Sequence, residues 1–474
     1  MAGENVTIHG NWTMLLDINP EPLQQLVING DLILDAQRNK NVNITAESIW
    51  IRAGSLQTGE TTDPFNGTVT IQLNGNKEDI GFVFDRTFTG EPVQGSKQLI
   101  VNGKLHLYGE MPSTVWTRLI AFAHRGDTTI QVVEANGWEI GDEIVIGPSF
   151  MSSQQQEKVT ITAVSSNSIT FTPALQYDHY GAAGLTISNE YGELDTRSTV
   201  GHISRKIKIV AGPDSGWGFR LLSYSYLDVD RFRKGNVILS GVEFYEGGQY
   251  DTESTAVQIK DVAGDHSIIT GSTFHDCKSF CLDIDNSLNI TVTNNVFYNA
   301  RVFHVRALDI SHFSFTQNLM IAATTRPTLT SGKELIACFG SWKEVDKTLD
   351  VVSVTDNVCQ GSSGHGFALA YVPCSKIDDN PFAGNTASST PVGFIFTQVS
   401  GECHAASGVK AFATKIGQIS SSAGTKELKF KHFLIADSER AVTLRFGIHG
   451  RKQLDNTAYL EHSFISAISR PTCT

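Results

Sequence analysis

The sequence predicts an all-β fold: a right-handed parallel β-helix (a solenoid) carrying a small inserted antiparallel β barrel or sandwich. Three observations predict it. A five-residue motif recurs down the second half at near-constant spacing, apolar and polar residues alternate between its copies, and residues 118–175 break that rhythm.

The motif is Ser240-Gly-Val-Glu-Phe244, with copies at Thr270-Gly-Ser-Thr-Phe274, Thr293-Asn-Asn-Val-Phe297, Thr316-Gln-Asn-Leu-Met320 and Thr355-Asp-Asn-Val-Cys359. Phe274 to Phe297 and Phe297 to Met320 are both steps of 23 residues. Self-similarity at such a period marks one stacked supersecondary unit per copy. Seventeen residues before the last four anchors stand Val257, Phe280, Phe303 and Trp342, and fifteen before the first three of those anchors stand Ile259, Leu282 and Val305. Polar residues lie beside them, among them Gln258, His304, Lys260, Asp283 and Arg306. That is the period of two that a strand requires. Ile290 and Val292, then Phe313 and Phe315, form a second alternation in each repeat. Columns repeated at a constant step predict parallel stacking, coil upon coil. An antiparallel sandwich with accidental spacing is the competing arrangement.

The first third reads as strand too. Leu26–Leu34 alternates around Gly30, and the pattern returns around Gly54, at Val69–Gly75 and around Gly103, steps of 24, 21 and 28 residues. These glycines mark turns that need positive φ, and their spacing predicts one coil each. Between residues 118 and 175 the rhythm changes. Thr129–Val133, Glu143–Ile146, Lys158–Val164 and Ser168–Phe171 are short strands punctuated by Asn136-Gly137 and Gly141-Asp142, the pattern of a small antiparallel unit. Residues 188–212 lead back to the coils.

Composition narrows the function. The 474 residues carry a net charge of −12 with no Lys/Arg cluster, so nucleic acid is not the expected partner. No apolar run approaches a membrane span, and Met1-Ala-Gly-Glu-Asn-Val lacks the apolar core of a signal peptide. Asn-X-Ser/Thr acceptors for N-glycosylation nevertheless occur at Asn5, Asn11, Asn43, Asn66 and Asn289. All seven cysteines lie beyond residue 270, and none has zinc-ribbon spacing. Cys281 and Cys359 occupy repeat columns, where buried thiols serve equally well. Cys374 and Cys403 flank the Gly/Pro/Ser-rich stretch 376–401, where a disulfide would restrain a floppy loop. The expectation is an extracellular piece whose signal and membrane anchor lie elsewhere, with an odd cysteine left over.

Glu4-Asn-Val-Thr-Ile8, Leu16-Asp17, Leu32, the Gly54/Gly59 turn, Trp138-Glu-Ile-Gly141-Asp142-Glu-Ile-Val145, Glu157 and His179 resemble the eight-glycine (G-eight) domain in order and spacing. Asp195-X-Arg197 to Arg205, then Val237-X-Leu-X-Gly-Val-Glu243-Phe and Gly248-Gln249, continue as in proteins where that domain leads into parallel β-helix repeats. The family comprises fibrocystin, fibrocystin-L and the related hyaluronan-depolymerising cell-surface proteins. Gly364-His-Gly-Phe367, Cys374, Gly401-Glu-Cys403 and Arg470-Pro-Thr-Cys473 are more similar to the fibrocystin branch. The resemblance implies a G-eight domain of β-helical coils at 1–115, its inserted antiparallel subdomain at 116–187, and β-helix repeats over 188–474 with a disulfide-linked region near 374–403. It further implies an extracellular or cell-surface setting, the ciliary membrane included, and a membrane attachment only through a segment absent from this chain.

Candidate sites are few. Lys260, Asp283 and Arg306 form one charge column at equal steps, a strip that could grip an acidic polysaccharide with its carboxylate as acid or base but reads most simply as exposed ion pairs worth about 0.2–1 kcal/mol each. Asp285 shares a face with Asp283, and His365 between two glycines reads as a turn residue. No metal-ligand spacing and no cofactor motif is present. For glycan cleavage, Asp195, Arg197 and Arg205 at the junction of the two halves are the candidates, an acid with Arg to hold the substrate's carboxylate; a buried ion pair fixing the junction is the favoured alternative. The expected function is therefore structural, adhesive or ligand-binding, toward a glycan or a cell-surface protein, with hyaluronan depolymerisation as the competing activity.

Overall fold

A computed structural model of the chain describes residues 3–466 except 36–37, 80–94, 183–185, 191, 214–215, 229–230, 250–253, 325–334, 342–351, 378–380, 398–402, 423–426 and 447–456. Its body is a parallel β-helix with three faces. Face 1 carries Val257–Lys260, Leu282–Asp285 and Phe303–Leu308; face 3 carries Ser267–Thr270, Leu288–Thr293 and Ser311–Thr316; face 2 carries Thr273–His275, Val296–Arg301 and Leu319–Thr324. The chain runs from face 3 to face 2 to face 1 and back, and each strand pairs in parallel with its counterpart one coil on. The coils begin near Glu4 and continue to Phe464–Ser466.

The recurring motif is the turn from face 3 to face 2. Its second position, Gly241, Gly271, Asn294, Gln317 and Asp356, has φ between 54° and 63°, the left-handed region that Gly, Asn and Asp tolerate best. Its last position points inward: Phe244, Phe274, Phe297, Met320 and Cys359 are all fully buried. Phe244, Phe274 and Phe297 stack ring on ring at 4.5 and 4.8 Å. The third position forms a buried polar ladder. The Ser272 amide donates to Asn295 Oδ1 (2.8 Å), Asn295 to Asn318 (3.0 Å), Asn318 to Asn357 (2.9 Å) and Asn357 to Asn385 (3.1 Å). Each Nδ2 also donates to a face 3 carbonyl of the preceding coil, Ile269, Val292, Phe315 and Val354 in turn.

Residues 110–205 leave the solenoid between the face 3 strand Lys104–Tyr108 and the face 2 strand Ile207–Ala211. Within them six antiparallel strands form one sheet, which takes its last strand, Thr199–His202, from beyond residue 187. A bridge between Leu119 and Val132 joins its two edge strands, Trp116–Arg118 and Thr129–Gln131, closing it as a barrel. Ile144, Ile146, Val159, Ile161, Ile169, Phe171 and Val200 fill its core. The barrel lies on face 2: Val115, Val145 and Ile203 pack on Val296, Tyr298, Leu319 and Ile321. Those solenoid residues alternate with inward ones, so face 2 is buried on both sides.

Three expectations need correction. The apparent Lys260–Asp283–Arg306 column is off by two residues at its first member: Gln258 stands opposite Asp283, and Lys260 opposite Asp285. The link between faces 1 and 3 is two residues longer there than in the next coil, so a constant count slips. Asp283 is also fully buried rather than exposed, with Arg306 Nε 2.7 Å from its Oδ1. Gly75 does not share the glycine column. Gly30, Gly54 and Gly103 stack, none of them at positive φ, each later one where a Cβ would strike the backbone before it, whereas Gly75, the one of the four at positive φ, follows the face 2 strand Thr68–Leu73. Finally, 376–401 is not one floppy loop: Thr386–Thr397 is a strand crossing faces 2 and 1, with Ala387, Phe394 and Phe396 buried. Phe280 and Phe303 do meet, ring edge to face at 5.3 Å, in a small cluster separate from the main core. Trp342 lies outside the described residues.

Arg306→Ala is therefore expected to cost about 3–5 kcal/mol by orphaning a buried carboxylate, and Lys260→Ala under about 1 kcal/mol. Denaturant unfolding of the two variants checks this; equal costs would contradict the register.

Candidate functional site at the barrel–solenoid junction

Where the barrel returns to the coils, charged side chains from both meet: Glu243, His275 and Arg205 are buried, while Lys158, Lys208 and Glu143 stay partly open to solvent. Glu243 and His275 point outward from successive face 2 strands toward the barrel, and Asp276 follows in the turn. Glu243 accepts from the Arg205 amide at 2.7 Å and lies 3.0 Å from Lys208 Nζ and 3.4 Å from His275 Nε2. The other His275 nitrogen is 3.1 Å from Asp276. From the barrel side, Lys158 bridges Asp276 (3.6 Å) and Glu143 (3.7 Å), and the Arg205 Nη1 reaches His202, itself 2.8 Å from Asp142.

Burial and pairing set the charge states. Burial opposes a charge on His275, but its hydrogen bond to Asp276 and the close carboxylates of Glu243 and Asp276 outweigh it, so its pKa lies above the usual imidazole value. Burial likewise opposes ionisation of Asp276, yet His275, Asn299 and Lys158 hold its pKa at about 2. Glu243 is lowered in the same way, with His275 and Lys208 overriding burial. Burial brings Arg205 down to about 10 against the pull of Glu243 and Asp142, which leaves it charged at neutral pH. His202 is pushed below its usual value by burial, with Arg205 adding to that, so it serves as a neutral donor to Asp142.

Beside this network opens a cleft of about 240 Å³. Lys158 forms the barrel rim, and Glu246, Asp276 and Asn299 come from the same turn on three consecutive coils, with φ of 60°, 56° and 53°. Tyr245, Lys278 and Arg301 complete the wall beside the Cys277–Cys281 disulfide. Asn299 Nδ2 donates to Asp276 Oδ1 at 2.5 Å, and Lys278 to Glu246 at 2.8 Å. Among the described residues no group of His, Cys, Asp and Glu has the arrangement of a metal site.

The residues singled out in the sequence lie elsewhere, apart from Arg205. Asp195 is paired with Arg197 through Nε (2.9 Å) and Nη2 (2.6 Å) and with Arg118 Nε at 3.4 Å. Asp195 and Arg205 do not meet; Arg205 is spent on the Glu243–His202 network. His365 lies in the strand His365–Ala370 and reaches the Ile336 carbonyl. Asn5, Asn11, Asn43 and Asn66 are exposed, and Asn289 is half-buried at positive φ within the strand Leu288–Thr293. Cys374 and Cys403 are bonded, with Cα atoms 5.6 Å apart, and a third bridge joins Cys338 to Cys359. Cys281 and Cys359 are thus bridged rather than free thiols; Cys473 lies outside the described residues. Sequence reasoning passed over Glu243, His275 and Asp276, which fall in or just after the motif, at positions that vary from copy to copy.

Residues 1–120 match the G8 domain family. The chain is 27% identical over 402 residues to Fibrocystin-L of Mus musculus, covering 79% of this chain and 9% of that protein. It is 31% identical over 263 residues to Fibrocystin-L of Homo sapiens, covering 52% and 6%, and 25% identical over 413 residues to Fibrocystin of Canis lupus familiaris, covering 86% and 10%. The chain therefore spans a tenth or less of the length of these relatives. Among solved structures, the tailspike gp61 of Pseudomonas phage phi297 aligns at 9% identity and TM-score 0.22, covering 93% of this chain and 71% of that one. The Gp54 tailspike of Acinetobacter baumannii bacteriophage AP22, in complex with a capsular saccharide, aligns at 10% and 0.20, covering 92% and 69%. The fold rests on the strand register, not on these two alignments.

The junction carries a pH signature. Because the folded His275 pKa is raised, its stabilisation is complete below the unfolded value of about 6.5 and is lost as pH rises through the folded one. The melting-temperature gap between the native chain and His275→Gln is expected to be largest near pH 5–6 and to shrink toward pH 9. A gap that grows with pH would contradict the assigned charge state.

Proposed function

Because this fibrocystin-like chain carries a G8 domain at residues 1–120, we propose that it is an extracellular ectodomain module at a cell surface, the ciliary membrane included. In this reading it acts as a stiff spacer that presents a ligand seat at the barrel–solenoid junction. The observation that carries the reading is its fit to an oxidising, glycosylating compartment. Three disulfides occur among the described residues, and bridges persist in such compartments. Four acceptor asparagines, Asn5, Asn11, Asn43 and Asn66, are open to solvent on the early coils, where a bulky glycan costs no packing.

Glycan depolymerisation is the weaker reading. It requires one carboxyl held protonated opposite a second group. At the junction the ion partners keep Asp276 and Glu243 ionised, and Asp195 is likewise lowered, its burial outweighed by Arg197 and Arg118.

Routed through the secretory pathway behind a heterologous signal, the chain is expected to be secreted with its cysteines bridged. Peptide N-glycosidase should increase its mobility, and replacing Asn5, Asn11, Asn43 and Asn66 by Gln should remove most of that shift. Intracellular retention of unglycosylated, reduced chain would overturn the extracellular assignment. High-molecular-weight hyaluronan should remain full length after incubation with the purified chain.

A further inference from the structure

The cleft beside Asp276 has a chemistry of its own, and the inference drawn from it rests on the ligand-presenting reading above. Its cations are not free to grip an acid. Lys158 is shared between Asp276 and Glu143, Lys278 is paired with Glu246, and Arg301 is already engaged by neighbouring groups. An incoming carboxylate or phosphate would have to displace a resident carboxylate and leave it unpaired in a half-buried wall, a net loss. What the cleft offers instead is alternation: carboxylate oxygens that accept, ammonium and amide groups that donate, all within one small concavity.

A hydroxyl group is both donor and acceptor, so a ring of hydroxyls matches such a wall without any ion changing partner. Asn299 and Asp276 are locked together at 2.5 Å, so that this acceptor–donor pair is already positioned before a ligand arrives. Tyr245 lines the same wall, held in place against the His275 ring at 4.9 Å. Burial, with Glu246 and Asp276 nearby, raises the Tyr245 pKa, which keeps its hydroxyl a donor at neutral pH. At about 240 Å³ the cleft is below the roughly 300–1,000 Å³ of sites for drug-sized ligands, which suits a single ring.

We propose that this cleft is a binding site for one neutral sugar ring at the end of a glycan chain, with Asp276 and Asn299 taking a pair of adjacent hydroxyls and Tyr245 lining the wall beside them. Uronates and other acidic sugars are discriminated against by the neutralised cations.

Saturation-transfer NMR and calorimetry on the full chain, with methyl glucoside, galactoside and mannoside set against glucuronate and a hyaluronan tetrasaccharide, test this. At least one neutral hexoside should bind saturably, with Kd in the millimolar range and tighter than either acid. Asn299→Ala and Tyr245→Ala should each weaken it at least tenfold with an unchanged melting temperature. Should Tyr245→Ala fail to fold, Asn299→Ala on the cleft rim decides alone. Tighter binding of the acids, hexoside binding indifferent to both variants, or no sugar binding at all would each overturn the proposal. Labelled chain applied to cells before and after enzymatic deglycosylation separates the two levels. Binding that survives deglycosylation keeps the ligand-presenting reading and sinks the sugar site, whereas no binding to either surface sinks both.

Discussion

The fold hangs on a row of buried side-chain amides. At the face 3 to face 2 turn the backbone passes through a left-handed residue, and the amide that follows has no strand neighbour to donate to. Asn295, Asn318, Asn357 and Asn385 solve this coil by coil, each accepting from the backbone below and donating to the coil before it. A buried N–H left unmade costs about 1–3 kcal/mol, so the ladder holds only if every rung is present. It also fixes register. An asparagine one residue out of place would break its rung, and with it the apolar residue two positions later (Phe297, Met320, Cys359 or Ala387) would leave the core.

The barrel adds a second constraint of a different kind. A solenoid face ordinarily shows polar residues to water, yet the outer side of face 2 grades from ions at Lys208 and Glu243, through Val296, Leu319 and Ile321, to the amide of Gln360. Gln360 accepts from the Thr199 amide at 2.9 Å and donates to the Pro148 carbonyl at 2.7 Å. Apolar contact supplies most of the adhesion. The flanking polar contacts set the seat, because a misplaced barrel would strand Arg205 or Glu243 without a partner.

Much of this was legible in the chain. The motif positions that must be small or flexible, amide-bearing and apolar each have a physical cause, and those causes recur at a nearly constant step. Strand alternation within the coils and the change of rhythm after residue 118 were equally visible. Register across coils was not, because it depends on loop length: two extra residues between faces 1 and 3 moved Lys260 away from Asp283. Val69–Gly75 looked like its neighbours because alternation reports that a strand exists, not which face it joins. The junction network was hidden for a related reason. Glu243, Thr273, Val296, Leu319 and Val358 hold one motif position, and their variety reads as tolerance until the barrel is seen to cover each of them differently. Nothing local in Asp195 or Arg197 distinguishes an ion pair that fixes a loop from one that meets a substrate; only Arg118 beside them decides it.

The barrel's reach gives the molecule a mechanical character. Its contacts run from Glu243 through Gln360 and Ser389, and the hairpin of Thr186–Asn189 and Gly192–Asp195, which interrupts it before its strand Thr199–His202, lays Leu194 on Phe412 and Leu434. A bare solenoid under tension yields like a spring unwinding, one coil at a time, since each coil touches only its neighbours. Here a strut runs along the flank across successive coils, so those coils cannot lengthen until the strut has let go. In a force–extension trace the stapled stretch would give way in one large step rather than a staircase. The tether would be stiff at low load and would break open abruptly, and a run of small steps from the first coils onward would show that the strut bears no force.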